Sequence, residues 1–248
     1  MKIIVFDFDG VLINSVAEHY LVSIKAFKEL DNKVRETKAS RKKFYFLRPF
    51  AKKADDFYAL LTMLQEGNPL NETKIPKLRD KILAAREEEA KEFVKLYYEN
   101  RKKLLQKGFK LWLKLQRPNK KVIEMMRWLS GKYPVYIATT RDKETTLKML
   151  KSFDVRIPKN RVFSKEETPN KAEQMKLISK ASSAPLKKII FIEDNFENLV
   201  EASKTGIKPV LVEWGYSTIK QRKEARKLGI PVLTKRNFEK QLMKIIGD

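Results

Sequence analysis

The chain has 248 residues, of which 42% are hydrophobic, so it can bury a sizeable core and is not a disordered tail. It contains no cysteine, which excludes disulfide scaffolds, thiolate catalysis and cysteine-ligated zinc. Lysine and arginine total 54 against 31 acidic residues, and this formal charge of +23 is spread along the whole chain. We interpret the charge as a solvated surface of the thermophile-like kind, with a nucleic-acid-binding face as the less favoured alternative.

The chain begins with a short apolar run that is followed by a long helical stretch. Residues 2–6 have the composition of a strand that is buried on both faces of a parallel sheet. From Ser15 onward, apolar residues recur at helical spacing for about a hundred residues, and Ser15 is a candidate N-cap. The helices predicted here are 16–30, 41–66 with a break near Pro49, and 76–115 with an interruption near Gly108.

After Pro118 the pattern changes to alternating strands and helices. The predicted strands are 135–138, 189–192, 210–212 and 232–233, and the predicted helices are 121–130, 145–153, 171–182, 196–204, 219–227 and one from 238. Such alternation is typical of right-handed βαβ units in a parallel sheet. We therefore expect a Rossmann-like α/β core with helices on both faces, formed by residues 1–14 and 118–248. An all-α domain, residues 15–117, is inserted after the first strand.

Acidic residues follow the first predicted strand. In such sheets, ligands bind at the carboxyl ends of the strands. Asp7 and Asp9 are two residues apart in an extended stretch, so their side chains point in the same direction. Two adjacent carboxylates repel each other unless a cation lies between them, and oxygen ligands suit Mg²⁺. The alternative is an ordinary solvated turn.

Three later segments bring further candidates to the same edge of the sheet. Thr139 and Thr140 follow a strand and could bind phosphate with a hydroxyl and backbone N–H groups, or could simply cap the next helix. Lys171 begins a helix and could neutralise anionic charge, although one lysine in so basic a chain indicates little. Glu193 and Asp194 end another strand, where they could complete an oxygen cage or favour the start of the next helix.

The ordered series Asp7-Phe8-Asp9-Gly10-Val11, Thr139, Lys171 and Asp194 resembles the four motifs of the haloacid dehalogenase-like superfamily. The resemblance covers about residues 1–11 and 122–217, and the helical insertion is similar to the superfamily's cap domain. It implies a Mg²⁺-dependent phosphatase that acts on a small phosphorylated metabolite through an aspartyl-phosphate intermediate. A phosphomutase is one alternative. A basic nucleic-acid-binding protein that uses the core without significant catalysis is another.

The resemblance also implies a role for each motif residue. Asp7 would be the nucleophile, and Asp9 would protonate the leaving oxygen and later activate water. Thr139 and the backbone of Thr140 would hold the phosphoryl oxygens, and Lys171 would stabilise charge on Asp7 and on the phosphate. The second aspartate favours phosphoryl transfer over dehalogenation, because a halide leaving group needs no proton.

The implied ligands of Mg²⁺ are Asp7, the backbone carbonyl of Asp9, and Asp194. The chain departs from the commoner pattern at Asn198, where relatives often carry a second acid, and at Glu193, where many carry glycine. Glu193 or Asn198 would then give the metal additional support.

One aromatic segment of the insertion is a candidate for substrate recognition. In residues 44–50 four aromatic side chains surround Arg48 next to the predicted helix break. Arg48, Phe46 and Phe50 could grip a nucleotide base or an anionic tail, and packing within the insertion's own core is the favoured alternative. His19, the one histidine of the chain, is predicted to lie on a helix surface.

The sequence carries no membrane or export signal that we recognise. The longest apolar runs, such as 189–192, are too short to cross a bilayer. The first residues lack the layout of a signal peptide. We therefore expect a cytoplasmic protein with no membrane partner.

Overall fold

The structure is a computed structural model and describes residues 1–30, 33 and 36–247. The chain divides into two compact units, Met1–Asn14 with Arg117–Asp248, and Ser15–Gln116. We call the first the α/β unit and the second the helical unit. The second boundary lies one residue before the predicted one, because Arg117 pairs with Asn14 in a short antiparallel ladder of the α/β unit.

The α/β unit is built on a parallel sheet. In chain order, its strands are β1 (Ile3–Phe6), β2 (Ile13–Asn14), β3 (Arg117–Pro118), β4 (Val135–Ala138), β5 (Val162–Phe163), β6 (Ile189–Glu193), β7 (Lys208–Val212) and β8 (Val232–Leu233). Within the described residues, six of these form one sheet in the order β5-β4-β1-β6-β7-β8, and every neighbouring pair is parallel. The predicted α/β fold class is confirmed. The separate pair β2–β3 lies where the chain leaves this unit and returns to it.

Helices are the other main secondary-structure elements of the two units. The helical unit contains α1 (Val16–Glu29), α2 (Lys38–Leu47), α3 (Ala54–Gln65), α4 (Ile75–Ala85), α5 (Glu87–Gln106) and α6 (Phe109–Leu113). The α/β unit contains α7 (Lys120–Ser130), α8 (Lys143–Ser152), α9 (Lys171–Ser182), α10 (Phe196–Ser203), α11 (Ile219–Lys227) and α12 (Phe238–Gly247).

Local sequence explains where the helices of the helical unit begin and end. The predicted breaks are confirmed, since Pro49 lies in a 3₁₀ turn after α2 and Gly108, with a φ of 136°, separates α5 from α6. Ser15 precedes α1 as predicted, but its side chain makes no capping hydrogen bond. Among the described residues, no helix is both long and apolar enough to cross a membrane.

The centre of the sheet is buried on both faces. Every residue of β1, β4 and β6 is buried, as expected for the apolar runs of a parallel sheet. Phe6 of β1 is in register with Ile137 of β4 and with Ile192 of β6. The residues that follow these three strands therefore meet at one edge of the sheet.

Aromatic packing forms the core of the helical unit. Phe44 of α2 stacks on Phe57 of α3, with ring centroids 5.7 Å apart, and Phe57 stacks on Tyr97 of α5 at 5.8 Å. Phe27 of α1 contacts Tyr58 and Phe93 in the same cluster. Of the aromatic residues in 44–50, Phe44 and Phe50 belong to this core, as the favoured alternative predicted, whereas Tyr45 and Phe46 are exposed.

A buried carboxylate connects the first helix of the helical unit to its end. Glu18 of α1 is fully buried. Its oxygens accept hydrogen bonds from Arg101 Nε at 2.8 Å, Trp112 Nε1 at 2.6 Å and Gln116 Nε2 at 2.9 Å. The charge of Glu18 is therefore matched by a cation and two neutral donors, as a buried ion requires.

Candidate active site

The candidate site lies at the carboxyl ends of the three central strands. Asp7 follows β1, and its N–H still bonds to Ile192 O of β6 at 2.8 Å, so the sheet pairing extends to this residue. Thr139 follows β4 and Asp194 follows β6. All three side chains are buried. The strand register therefore brings three sequence-predicted site residues to the same edge.

Lys171, the first residue of α9, contacts Asp7, the candidate nucleophile. Its Nζ lies 2.5 Å from Asp7 Oδ1, 2.6 Å from Ala138 O and 3.7 Å from Glu193 Oε2. Burial alone would lower the pKa of this ammonium group, but the charges of Asp7 and Glu193 outweigh it and raise the pKa. Lys171 therefore stays a cation within this site.

Three carboxylates gather beside Lys171. Asp7, Glu193 and Asp194 each place an oxygen within 4.8 Å of the others, and all three are buried. Burial raises the pKa of Asp7 to about 8, with repulsion from Glu193 adding to it and Lys171 opposing it. Burial also raises the pKa of Glu193 to about 8, against the attraction of Lys171. With all three carboxyls ionised, the group would hold more negative charge than Lys171 neutralises, so in the metal-free site Asp7 and Glu193 favour their protonated forms below about pH 8.

The donor set fits a divalent cation. Glu193 Oε1 accepts the N–H groups of Asp194 and Asn195, both at 3.0 Å. Glu193 Oε2 is buried and, in the described part of the chain, has no hydrogen-bond partner. A buried carboxylate oxygen without a donor is costly, and a hard cation among three carboxylates would satisfy it. Asp7, Glu193 and Asp194 would hold such an ion.

Glu193, one of the two residues expected to support the metal, belongs to this acidic group, and Asn198 stays a prediction. The N–H of Asn198 donates to Asn195 Oδ1 at 3.0 Å, and this bond caps the start of α10.

Two glycines fix the carboxylate of Asp194. A Cβ on Gly10 would lie 2.0 Å from Asp194 Oδ2, and one on Gly215 would lie 2.2 Å from Asp194 Cβ. Gly10 also has a φ of 91°, which disfavours any residue with a side chain. The N–H of Tyr216 donates to Asp194 Oδ2 at 2.5 Å. The side chain of Asp194 is therefore confined between two backbone segments.

Asp9 contacts Arg141, which is not among the sequence-predicted site residues. Arg141 Nε donates to Asp9 Oδ2 at 3.0 Å, and Nη2 donates to Oδ1 at 2.7 Å. Arg141 stands two residues after Thr139, and its backbone N–H donates to Thr139 Oγ1 at 3.1 Å. The sequence signal that could have identified it is the position of a cation in the turn directly after the phosphate-binding candidate.

Thr139 and Thr140 are in the turn after β4 and do not cap the following helix. The N-cap of α8 is Asp142, whose Oδ1 accepts the Thr145 N–H at 2.8 Å. The capping alternative for the two threonines is therefore wrong. The backbone of Thr139 is fixed by two hydrogen bonds. Its N–H donates to Phe163 O at 2.9 Å, and its carbonyl accepts from the side-chain Nε2 of Gln174 at 2.8 Å.

The specificity candidates of the helical unit have contacts within that unit. Arg48 Nε donates to His19 Nδ1 at 3.1 Å and Arg48 Nη1 to Ala51 O at 2.8 Å. Phe50 is buried, whereas Phe46 is 40% exposed. The prediction of a surface position for His19 is wrong, because its ring is buried against Phe57, 5.1 Å between centroids, and accepts the bond from Arg48.

Among the comparisons with known proteins, a family model identifies the family and solved structures identify the fold. A family model described as a haloacid dehalogenase-like hydrolase matches residues 1–205. No curated protein matches the sequence significantly. A solved haloacid dehalogenase-like hydrolase from Streptococcus pneumoniae superposes with a TM-score of 0.67 at 19% identity, over 98% of each chain.

Two further solved structures carry phosphatase names. One from Lactobacillus delbrueckii, described as a phosphoglycolate phosphatase, has a TM-score of 0.70 at 12% identity, over 99% of each chain. Another from Haemophilus somnus, also described as a phosphoglycolate phosphatase, has a TM-score of 0.61 at 17% identity, over 87% of each chain. At these identities, the likeness shows a shared fold.

Proposed function

Since the chain belongs to the haloacid dehalogenase-like hydrolases, we propose that it is a Mg²⁺-dependent phosphatase that cleaves a small phosphomonoester through an aspartyl-phosphate. The observation that carries this proposal is the buried contact of Lys171 with Asp7 beside Glu193 and Asp194, at the carboxyl edge of a parallel sheet. The phosphatase names of solved structures with this fold support the substrate class.

Asp7 is the proposed nucleophile. Its carboxylate oxygen forms a bond to phosphorus while the bond from phosphorus to the ester oxygen breaks, and Asp9 gives its proton to the departing oxygen. Water then attacks the phosphorus of the aspartyl-phosphate, Asp9 takes a proton from that water, and inorganic phosphate leaves Asp7. The presence of Asp9 supports phosphoryl transfer over dehalogenation, since a departing alkoxide needs a proton and a halide does not.

The remaining residues of the site provide positive charge and hydrogen-bond donors. Lys171 binds Asp7 Oδ1 and thereby reduces the repulsion between an anionic nucleophile and an anionic substrate. Mg²⁺, held by Asp7, Glu193, Asp194 and the backbone carbonyl of Asp9, would supply further charge neutralisation. Thr139 and the backbone of Thr140 are proposed to bind the phosphoryl oxygens.

The helical unit is proposed to act as the cap domain that selects the substrate. Its insertion between Asn14 and Arg117 falls between the first and second motifs. Within this unit, the burial of Arg48 and Phe50 favours a packing role, whereas exposed Phe46 stays a candidate for substrate contact.

The experiment is an assay of p-nitrophenyl phosphate hydrolysis with Mg²⁺ and with EDTA. We expect Mg²⁺-dependent turnover in the native chain and its loss in Asp7→Asn, because an amide cannot form the acyl-phosphate. Acid-quenched native enzyme should carry phosphate in a hydroxylamine-sensitive bond. Glu144→Gln, an exposed change on α8, is the matched control and should turn over normally. Full activity of Asp7→Asn would contradict the proposal.

A panel of phosphate esters then addresses the substrate. Phosphoglycolate, sugar phosphates and nucleoside monophosphates differ in their leaving groups and in their anionic tails. We expect one class to show a much higher kcat/KM than p-nitrophenyl phosphate, because specificity is expressed in the transition state. Transfer of phosphate to a second hydroxyl of the same sugar, without release of inorganic phosphate, would indicate a mutase instead.

A further inference from the structure

Arg141 is a basic residue that contacts the side chain of Asp9. We infer that Arg141 is a positioning residue, which orients the Asp9 carboxylate for proton transfer to the leaving oxygen. This inference rests on the proposed function, because it assumes that Asp9 acts as the acid and base of a phosphatase.

The contact between the side chains of Arg141 and Asp9 is bidentate. Arg141 Nε and Nη2 donate to different oxygens of Asp9, at 3.0 Å and 2.7 Å. A guanidinium group is a rigid planar fork, so two parallel bonds fix the plane of the carboxylate as well as its distance. A lysine at this position has a single nitrogen and could not impose that plane.

Arg141 is itself held in place. Its side chain is 3% exposed. Its backbone N–H donates to Thr139 Oγ1 at 3.1 Å and its carbonyl accepts from Lys165 N–H at 3.3 Å. The backbone of Arg141 is therefore fixed in the turn after β4, the strand next to β1. From this turn, which also contains Thr139, its guanidinium reaches Asp9.

The other carboxylates of the site each have their own support. Asp7 is bonded to Lys171, Glu193 accepts two backbone N–H groups, and Asp194 lies between Gly10 and Gly215. Asp9 is in the loop after β1, and its side chain is 13% exposed. Loss of the Arg141 side chain would remove two hydrogen bonds that fix the plane of this carboxylate, and a misplaced acid loses much of its contribution to catalysis.

This role predicts an effect that depends on the leaving group. Glycerol 3-phosphate releases an alkoxide that must be protonated, whereas 2,4-dinitrophenyl phosphate releases a stable phenolate that needs no proton. For Arg141→Ala we expect the rate of leaving-group release in the first turnover to fall roughly 10²-fold with the alkyl ester and only severalfold with the activated ester. KM should change little. Arg141→Lys keeps the charge but not the planar guanidinium, so its rate with the alkyl ester should lie between the rates of the native chain and of Arg141→Ala.

Two further measurements separate positioning from a loss of structure. Millimolar guanidinium should partly restore alkyl-ester hydrolysis by Arg141→Ala, whereas ammonium should not. In an Asp9→Asn background, Arg141→Ala should cost little more, since a residue that acts through Asp9 has nothing left to position. Arg127→Ala, a change at a half-exposed arginine of α7, is the control and should leave both esters unaffected.

Equal losses with the two esters, an additive loss on Asp9→Asn, or a gain of alkyl-ester activity would overturn the inference. A gain would mean that Arg141 holds Asp9 away from the substrate. These outcomes are distinct from a failure of the proposed function, in which the native chain would lack Mg²⁺-dependent turnover or Asp7→Asn would retain it.

Discussion

Each unit of the molecule buries a glutamate, and the two environments differ in how completely they satisfy it. Glu18 of the helical unit is fully buried and receives bonds from Arg101, Trp112 and Gln116. Glu193 of the α/β unit is equally buried but has one oxygen without a hydrogen-bond partner among the described residues. A satisfied buried carboxylate supports the fold, whereas an under-satisfied one beside two other acids indicates a ligand.

The largest effect on stability is expected at the satisfied carboxylate. Glu18→Gln removes the negative charge that faces Arg101, whose side chain is 7% exposed, and so abolishes a buried ion pair. Such a change costs about 3–5 kcal/mol of unfolding free energy. Urea unfolding measures it. If Glu18 is purely structural, Mg²⁺ affinity measured by calorimetry should be unchanged, and a large loss of affinity would contradict the comparison.

The next effect concerns metal binding. Gly215→Ala would place a methyl group against Asp194, which must move because the contact would be 2.2 Å. We expect Mg²⁺ affinity to fall roughly 10–100-fold, the usual cost of disturbing the support of a ligand. Titration calorimetry checks this. Gly131→Ala, where the φ is −79° and a Cβ would lie at an ordinary contact distance of 3.5 Å from Trp128 O, is the control. Equal affinities in the two variants would contradict the role of Gly215.

The raised pKa values of Asp7 and Glu193 lead us to expect that the stability of the metal-free protein depends on pH. In the folded protein the pKa of Asp7 and of Glu193 is raised to about 8, so the folded state binds more protons than the unfolded state between their two pKa values. Their contribution to stability is present in full below the unfolded pKa and is lost as pH rises toward 8. Each group contributes a slope of at most about 1.4 kcal/mol per pH unit. Urea unfolding in EDTA from pH 5 to 8 should therefore show decreasing stability.

Glu193→Gln sharpens this test, since it removes one titrating group from the site. The stability of the variant in EDTA should decrease less steeply with pH than that of the native chain. Mg²⁺ should stabilise the native chain more than the variant at pH 8. Parallel pH profiles for the two proteins would show that Glu193 does not titrate in the predicted range.

The smallest effect is expected at an exposed ion pair of the same residue types as Glu18 and Arg101. Arg86 Nη2 lies 2.7 Å from Glu66 Oε1, but the side chains are 40% and 39% exposed. Solvent screens this pair, so Glu66→Gln should change the unfolding free energy by less than about 0.5 kcal/mol. A cost similar to that of Glu18→Gln would show that burial does not explain the difference between the two pairs.

Much of the sheet and the order of the site residues could be predicted from the sequence, because buried parallel strands are continuous apolar runs and their ends carry polar residues. The two-residue strands β2, β3 and β5 were not predicted, although β8, of the same length, was, because strands this short are defined by their pairing with a neighbouring strand. The contact of Arg141 with Asp9 joins residues that are 132 positions apart, so the place of Arg141 after Thr139 is visible in the sequence but its partner is not. His19 illustrates the same limit, because its burial depends on packing against α3.

The short ladder in which Asn14 pairs with Arg117 has an evolutionary consequence. These residues are the last before the helical unit and the first after it, so the two ends of the insertion are neighbours across one antiparallel pair. A two-residue hairpin turn would join them without changing the register of Ile13 with Pro118. The chain between Asn14 and Arg117 can therefore be a tight turn or a whole helical unit. This makes the inserted segment exchangeable, while the sheet that carries the candidate site stays the same.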